Sequence, residues 1–219
     1  MVEKQELLIR LHDLGAIGIL RLDSEETCLK AIDSLFDGGL CALEVTMTVP
    51  QAFDVVRRAK EKYGESAMVG VGTVLDSDTA EKSIRAGAQF IISPSLDKEV
   101  VEVCKRHDVI SCPGTFTTTE IVQAQRWGAD LIKVFPISQV GPGYIKAILA
   151  PLPSVRLVPT GGIRVDNAAQ YIASGAYCLG VGEGLASRKS VSEGHYDLLA
   201  EGATELLKVI REAKEKAQV

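Results

Sequence analysis

The sequence lacks the basic excess that a nucleic-acid or anionic-membrane surface requires. Its 24 Lys and Arg stand against 29 Asp and Glu, a formal charge of −5, so neither partner is expected. No apolar run approaches the ~20 residues that span a bilayer. The opening stretch, MVEKQELLIRLHDLG, is charged and periodic and does not read as an apolar leader. The five cysteines (Cys28, Cys41, Cys104, Cys112 and Cys178) are odd in number, scattered, and form no C-x-x-C pair. They read as buried thiols of a reducing compartment and not as a disulfide framework, so a cytoplasmic protein is expected. Three histidines with no close pair of good ligands argue against a metal site. No linker, low-complexity tract or charge block divides the 219 residues, which are 46% hydrophobic. A single domain over residues 1–219 is expected.

What the chain does contain is alternation. Short runs rich in Val and Ile predict strands at Ala16–Leu20, Ala42–Val45, Met68–Val71, Phe90–Ile92, Val109–Cys112, Leu131–Val134, Val155–Val158 and Cys178–Val181. Segments of helical period lie between them: Glu25–Phe36, Gln51–Lys62, Asp78–Ala86, Lys98–His107, Thr119–Trp127 and Asp166–Ala173. A final helix spans about Tyr196–Ala217. Gly15, Gly38-Gly39, Gly87, Gly128 and Gly175 each close a helical stretch and lead through a small-residue turn into the next apolar run. Continuous apolar strands, each followed by a helix, imply a parallel sheet covered on both faces. The pattern fits a (β/α)8 TIM barrel with an additional N-terminal helix. An open doubly wound sheet is the rival, but no G-x-G-x-x-G follows Ala16–Leu20.

In such a barrel the carboxyl ends of the strands carry the site. Two ionisable residues interrupt apolar strands there: Glu44 in Cys41-Ala-Leu-Glu-Val-Thr-Met, and Lys133 in Asp130-Leu-Ile-Lys-Val-Phe-Pro. A lone buried charge costs several kcal/mol, so each needs a partner, a shifted pKa or a wet pocket. A desolvated lysine can hold its amine neutral for attack on a carbonyl and Schiff-base formation. A structural lysine that snorkels to a carboxylate is the alternative. On the second and sixth strands of an eight-strand ring, Glu44 and Lys133 face each other across the interior, which suits proton shuttling at an imine. A buried ion pair without turnover is the other reading of the same placement. His107 falls before the fifth strand, and His12 and His195 lie in terminal helical regions, so a carboxylate is the expected acid/base.

Small polar residues and glycines end the other strands: Gly70-Val-Gly-Thr73, Ser93-Pro94 and Pro113-Gly114. Arg21, just after the first strand, reads as a carboxylate clamp or as a surface arginine. After the last two strands, Pro159-Thr160-Gly161-Gly162-Ile163 and Gly180-Val181-Gly182-Glu183-Gly184 read as a phosphate cradle or as tight turns.

Taken in order, Glu44-Val-Thr, Gly70-Val-Gly-Thr-Val74, Ser93-Pro94, Pro113-Gly114, Lys133-Val-Phe-Pro136 and Pro159-Thr-Gly-Gly-Ile163 resemble the motifs of the 2-keto-3-deoxy-6-phosphogluconate (KDPG) and 4-hydroxy-2-oxoglutarate (KHG) aldolases. The resemblance runs from about Leu14 to Gly184. It implies a class I aldolase, usually a homotrimer, that uses no metal or other cofactor beyond the covalent Schiff base with its substrate. The implied reaction is reversible cleavage of a 4-hydroxy-2-keto acid, such as 2-dehydro-3-deoxy-6-phosphogluconate or 4-hydroxy-2-oxoglutarate, to pyruvate and glyceraldehyde 3-phosphate or glyoxylate. It further implies that Lys133 forms the Schiff base, Glu44 moves protons, Arg21 and Thr73 hold the pyruvate carboxylate, and Pro94 and Phe135 shape the pocket. Two positions depart from the family pattern. Thr48 stands where some relatives carry an arginine, which throws the clamp onto Arg21. Glu183 stands where the family's phosphate-binding turn usually carries serine, which sets a carboxylate against a phosphorylated substrate unless Glu183 turns away or Arg164, Arg188 or Lys189 compensates. A sugar-phosphate isomerase or epimerase, or a non-catalytic barrel serving as a binding module, are the competing functions.

Overall fold

In the computed structural model, which describes residues 3–217, parallel strands alternate with helices along the chain. The first helix, α1 (Lys4–Leu14), ends at Gly15, whose φ of 79° places it in the left-handed region while its N–H donates to the Leu11 carbonyl. Then follow β1 (Ala16–Leu20), α2 (Glu25–Asp37), β2 (Ala42–Thr46), α3 (Ala52–Tyr63), β3 (Met68–Gly72), α4 (Ser77–Arg85), β4 (Phe90–Ile92) and α5 (Lys98–Arg106). The second half holds β5 (Ile110–Cys112), β6 (Gly114–Thr115), α6 (Thr118–Trp127), β7 (Ile132–Val134), α7 (Pro142–Leu149), β8 (Leu157–Pro159), α8 (Val165–Ala173), β9 (Leu179–Val181), α9 (Arg188–Ser192) and α10 (Tyr196–Ala217). Local chemistry sets many of the helix starts. Ser24, Asp76 and Asp97 accept the N–H of the third helical residue, and Thr117 with Glu120 forms a reciprocal capping box.

Every strand pair is parallel. Six strands run in the order β5-β4-β3-β2-β1-β9, and a second sheet runs β6-β7-β8. This corrects the expectation of eight uninterrupted strands. Pro113 has no N–H to give to a ladder and divides the fifth run into β5 and β6. Its carbonyl nevertheless accepts the Lys133 N–H at 2.9 Å, and the Ser111 carbonyl accepts the Leu131 N–H at 3.0 Å. At the other edge, a Thr160–Gly180 bridge and the Tyr177 N–H to Leu157 carbonyl bond (2.9 Å) join β8 to β9. Helix α7, absent from the expected pattern, starts at Pro142 after Gly141, an arrangement favoured at a first helical position.

The period of two along each strand divides the core. Outward residues such as Leu43, Val45, Val69, Val71, Ile91 and Val134 pack under the helices. Inward residues Ile17, Ala42, Met68, Phe90, Ile110 and Leu131 form a second cluster that α1 covers with Leu7, Leu8 and Leu11. The amino ends of the strands are thereby filled with apolar side chains, and the polar inward residues fall one or two positions further along.

Candidate active site at the carboxyl ends of the strands

On β2 the inward positions are Ala42, Glu44 and Thr46, and all three are buried. Parallel register sets Glu44 beside Ile19 of β1 and Gly70 of β3. The two inward glycines of β3 make room for its neighbours. A Cβ at Gly70 would overlap the Phe90 ring, and one at Gly72 would overlap the Glu44 carboxylate. Glu44 is 1% exposed, and its Oε2 has no hydrogen-bond partner. Burial raises its pKa above the usual glutamate range, while the charges of Lys133 and Arg21 pull it down to a lesser extent.

Lys133 lies on β7, level with Gly114 of β6 and Val158 of β8. It is 6% exposed, and its Nζ stands 5.1 Å from the centroid of the Phe135 ring. Among the described residues no carboxylate pairs with Lys133, although its charge acts on Glu44 and lowers the pKa that burial raises. Cys112, inward on β5, feels both charges, and burial raises its thiol pKa well above the ordinary value. The site therefore holds a buried acid and a buried amine, neither with an ion-pair partner among the described residues. Among the described residues no direct Lys133–Glu44 ion pair is formed.

Arg21 is exposed at the end of β1, yet it is held from two sides. Its guanidinium donates to Thr48 Oγ1 at 3.3 Å and to Thr73 Oγ1 at 3.1 Å. Thr48 Oγ1 lies 2.7 Å from Thr46 Oγ1, and Thr46 donates to the Leu20 carbonyl at 2.9 Å. Thr46 has one proton and has given it to that carbonyl. Thr48 must then donate to Thr46, which leaves its lone pairs for the guanidinium. Thr73 sits at φ 61°, a left-handed conformation uncommon for a branched side chain and of the kind found where a site imposes it. Sequence reasoning named Thr48 only as a departure and passed over Thr46, which counting in twos from Glu44 would have found.

The remaining candidates line the rim. Pro94 is half-buried, and its backbone approaches Gly114 so closely that a Cβ there would overlap its carbonyl. Phe135 is 38% exposed and lies over Gly161. Gly161 and Gly162 have φ of 98° and 77°, and a Cβ at Gly162 would press on Ser138. Thr160 is buried, and its Oγ1 occupies the space a Cβ at Gly180 would need. Gly182 lies beside Ile19, one residue before exposed Glu183. Among the described residues Glu183 has no hydrogen bond or ion pair, no group of three or more His, Cys, Asp and Glu is placed to hold a metal ion, and no helix is long and apolar enough to cross a membrane. A crevice of about 640 Å³ between His12, Arg156, Tyr177 and Lys214 opens at the opposite end of the strands and shares none of these side chains.

Comparison with known proteins agrees with this arrangement. The chain is 35% identical over 173 residues to the 2-dehydro-3-deoxy-6-phosphogalactonate aldolase of Escherichia coli K12, covering 78% of this chain and 84% of that one. It is 33% identical over 188 residues to the KHG/KDPG aldolase of the same organism, covering 85% and 84%. The solved native KDPGal structure superposes with a TM-score of 0.84 at 33% identity, over 91% of this chain and 96% of that one. With the KDPG and KHG aldolase family model matching residues 9–201, a buried acid and a buried amine on inward strand positions of a parallel α/β frame have a plain ancestry: the chain belongs to the KDPG and KHG aldolase family.

Proposed function

We propose that the protein is a class I aldolase that reversibly cleaves a 4-hydroxy-2-keto acid to pyruvate and an aldehyde. One observation carries the reading: Lys133 on β7 and Glu44 on β2 are both buried inward residues whose charges act on each other, and neither has an ion-pair partner among the described residues. The Lys133 amine adds to the C2 ketone, and loss of water from the carbinolamine leaves an iminium. The C3–C4 bond then breaks, its electron pair moving into the iminium to form an enamine, as the C4 hydroxyl proton passes to Glu44 and the aldehyde departs. Return of a proton to C3 and hydrolysis release pyruvate and the amine. A carboxyl group whose pKa is raised by burial suits proton traffic in both directions. Arg21, steadied by Thr48 and Thr73, holds the substrate carboxylate, and Phe135 and Pro94 wall the ketone end.

The chemistry requires no cofactor beyond the covalent adduct. We extend the reading to a single domain over 1–219 in which β5 and β6 count as one strand of a closed eight-stranded (β/α)8 barrel, capped by α1. Pairing past Pro113 and the Thr160–Gly180 bridge support closure. A cytoplasmic homotrimer is the assembly the family suggests. The test is reduction with borohydride in the presence of pyruvate. One pyruvate-derived adduct is expected at Lys133 by peptide mass spectrometry, and Lys133→Ala should abolish both adduct and turnover. Labelling at a different lysine, or none, would end the mechanism.

A further inference from the structure

Arg21 belongs to β1, but the hydroxyl that aims it is anchored on β2. Thr46, two residues beyond Glu44 and the last residue of that strand, is fully buried. The strands are locked in register there, Leu20 against Val45, and a β-branched side chain has few rotamers to choose from. Thr46 Oγ1 donates to the Leu20 carbonyl at 2.9 Å, so its single proton is spent on the residue just before Arg21. The 2.7 Å contact between Thr46 Oγ1 and Thr48 Oγ1 then needs the Thr48 proton. Thr48 is left to face the Arg21 guanidinium, 3.3 Å away, with lone pairs alone. A guanidinium carries donors and no acceptor, so a hydroxyl proton turned toward it would repel it. The chain from Thr48 through Thr46 to the Leu20 carbonyl has one direction, and it is the direction that attracts the arginine. Thr73 differs. It accepts from the other guanidinium nitrogen at 3.1 Å, and among the described residues its own proton goes to no protein acceptor. That proton is free for a carboxylate held on Arg21.

Resting on the aldolase reading above, we propose that Thr46 is a positioning residue for the carboxylate of the 2-keto acid. It makes no hydrogen bond to Arg21 and acts through the proton of Thr48. With that proton held inward, the guanidinium stays forked between Thr48 and Thr73, and its remaining N–H groups are left for the ligand. Without the Thr46 hydroxyl, the Thr48 hydroxyl turns freely and Arg21 loses one fixed side. Losing a hydrogen bond to a charged group weakens binding about tenfold or more, so an effect passed through one intermediary should be about 5–20-fold.

The test compares borohydride trapping at Lys133 by pyruvate and by acetone, which keeps the ketone and lacks the carboxylate. Thr46→Val should raise the pyruvate concentration for half-maximal trapping by about 5–20-fold, while trapping by acetone changes less than about twofold. Thr46→Ser, which keeps the hydroxyl, should return the pyruvate value to within about threefold of wild type. In an Arg21→Ala background Thr46→Val should add less than about twofold, because the group it acts through is gone. Should the buried substitution fail to fold, Thr48→Val at the exposed end of the chain carries the same expectations. An unchanged pyruvate concentration, an equal loss of acetone trapping, no rescue by the serine variant, or a full effect without Arg21 would each overturn the positioning role. Failure of pyruvate to label Lys133 in the wild-type protein would instead overturn the aldolase reading.

Discussion

Replacing Glu44 by Gln should make the protein more stable at neutral pH while removing most of its activity. The side chain is 1% exposed, Oε2 lacks a partner, and burial outweighs the help from Lys133 and Arg21, so its pKa lies above the ordinary value of 4.5. The folded chain therefore holds this proton more tightly than the unfolded chain. Stability falls as pH rises from about 4.5 through the raised folded value, and the full penalty is present above both. An unsatisfied buried polar group costs about 1–3 kcal/mol, and more when charged. The neutral amide avoids the part of the cost that falls on the charge and should recover about 1–3 kcal/mol. For a chain of this size the gain corresponds to a rise of about 2–10 °C in Tm. The assay is thermal unfolding of both proteins at pH 7.5 and again at pH 4, where Glu44 is mainly protonated in both states and the difference should largely close. Activity at pH 7.5 should fall by about 10²–10⁴, the usual contribution of a positioned acid/base. A variant less stable than wild type at pH 7.5, or a stability gap that persists at pH 4, would refute the idea that burial penalises the ionised form of Glu44.

Other perturbations probe the surrounding frame. Arg21→Lys removes the planar fork that reaches Thr48 and Thr73 together, so the concentration of pyruvate needed for half-maximal trapping should rise about 10–100-fold; an unchanged value would remove Arg21 from the clamp. Gly72→Ala drives a Cβ into the Glu44 carboxylate and should cost about 1–3 kcal/mol in urea unfolding along with most of kcat. Gly143→Ala in α7, where the added methyl meets nothing within 4 Å, should be neutral or stabilising by up to about 1 kcal/mol; similar losses in both variants would show that the overlap at Gly72 is not what matters.

Much of this molecule was legible as sequence because its signals are local. Gly15, Gly87, Gly128 and Gly175 all take positive φ at the helix-to-strand junctions where their spacing put them. Glu44 and Lys133 stood out because a charge inside an apolar strand is costly and calls for an explanation. Other features depend on neighbours remote in the chain. Pairing continues past Pro113 because the Lys133 N–H reaches its carbonyl, and no reading of residues 109–115 alone contains that donor. The role of Thr48 required Arg21 and Thr46 to be brought beside it, and the placement of Ser138 under Gly162 left no mark in either motif.

By itself the chain determined the alternation of strands and helices and the two ionisable residues that chemistry would need, since period, capping and burial cost act over a few neighbours. The tertiary structure decided which charges are matched. It left the buried Lys133 and Glu44 without an ion-pair partner among the described residues and tied Arg21 to two threonines. Electrostatic partnership depends on separations of a few ångströms between residues far apart in sequence, and only the folded arrangement of strands specifies those.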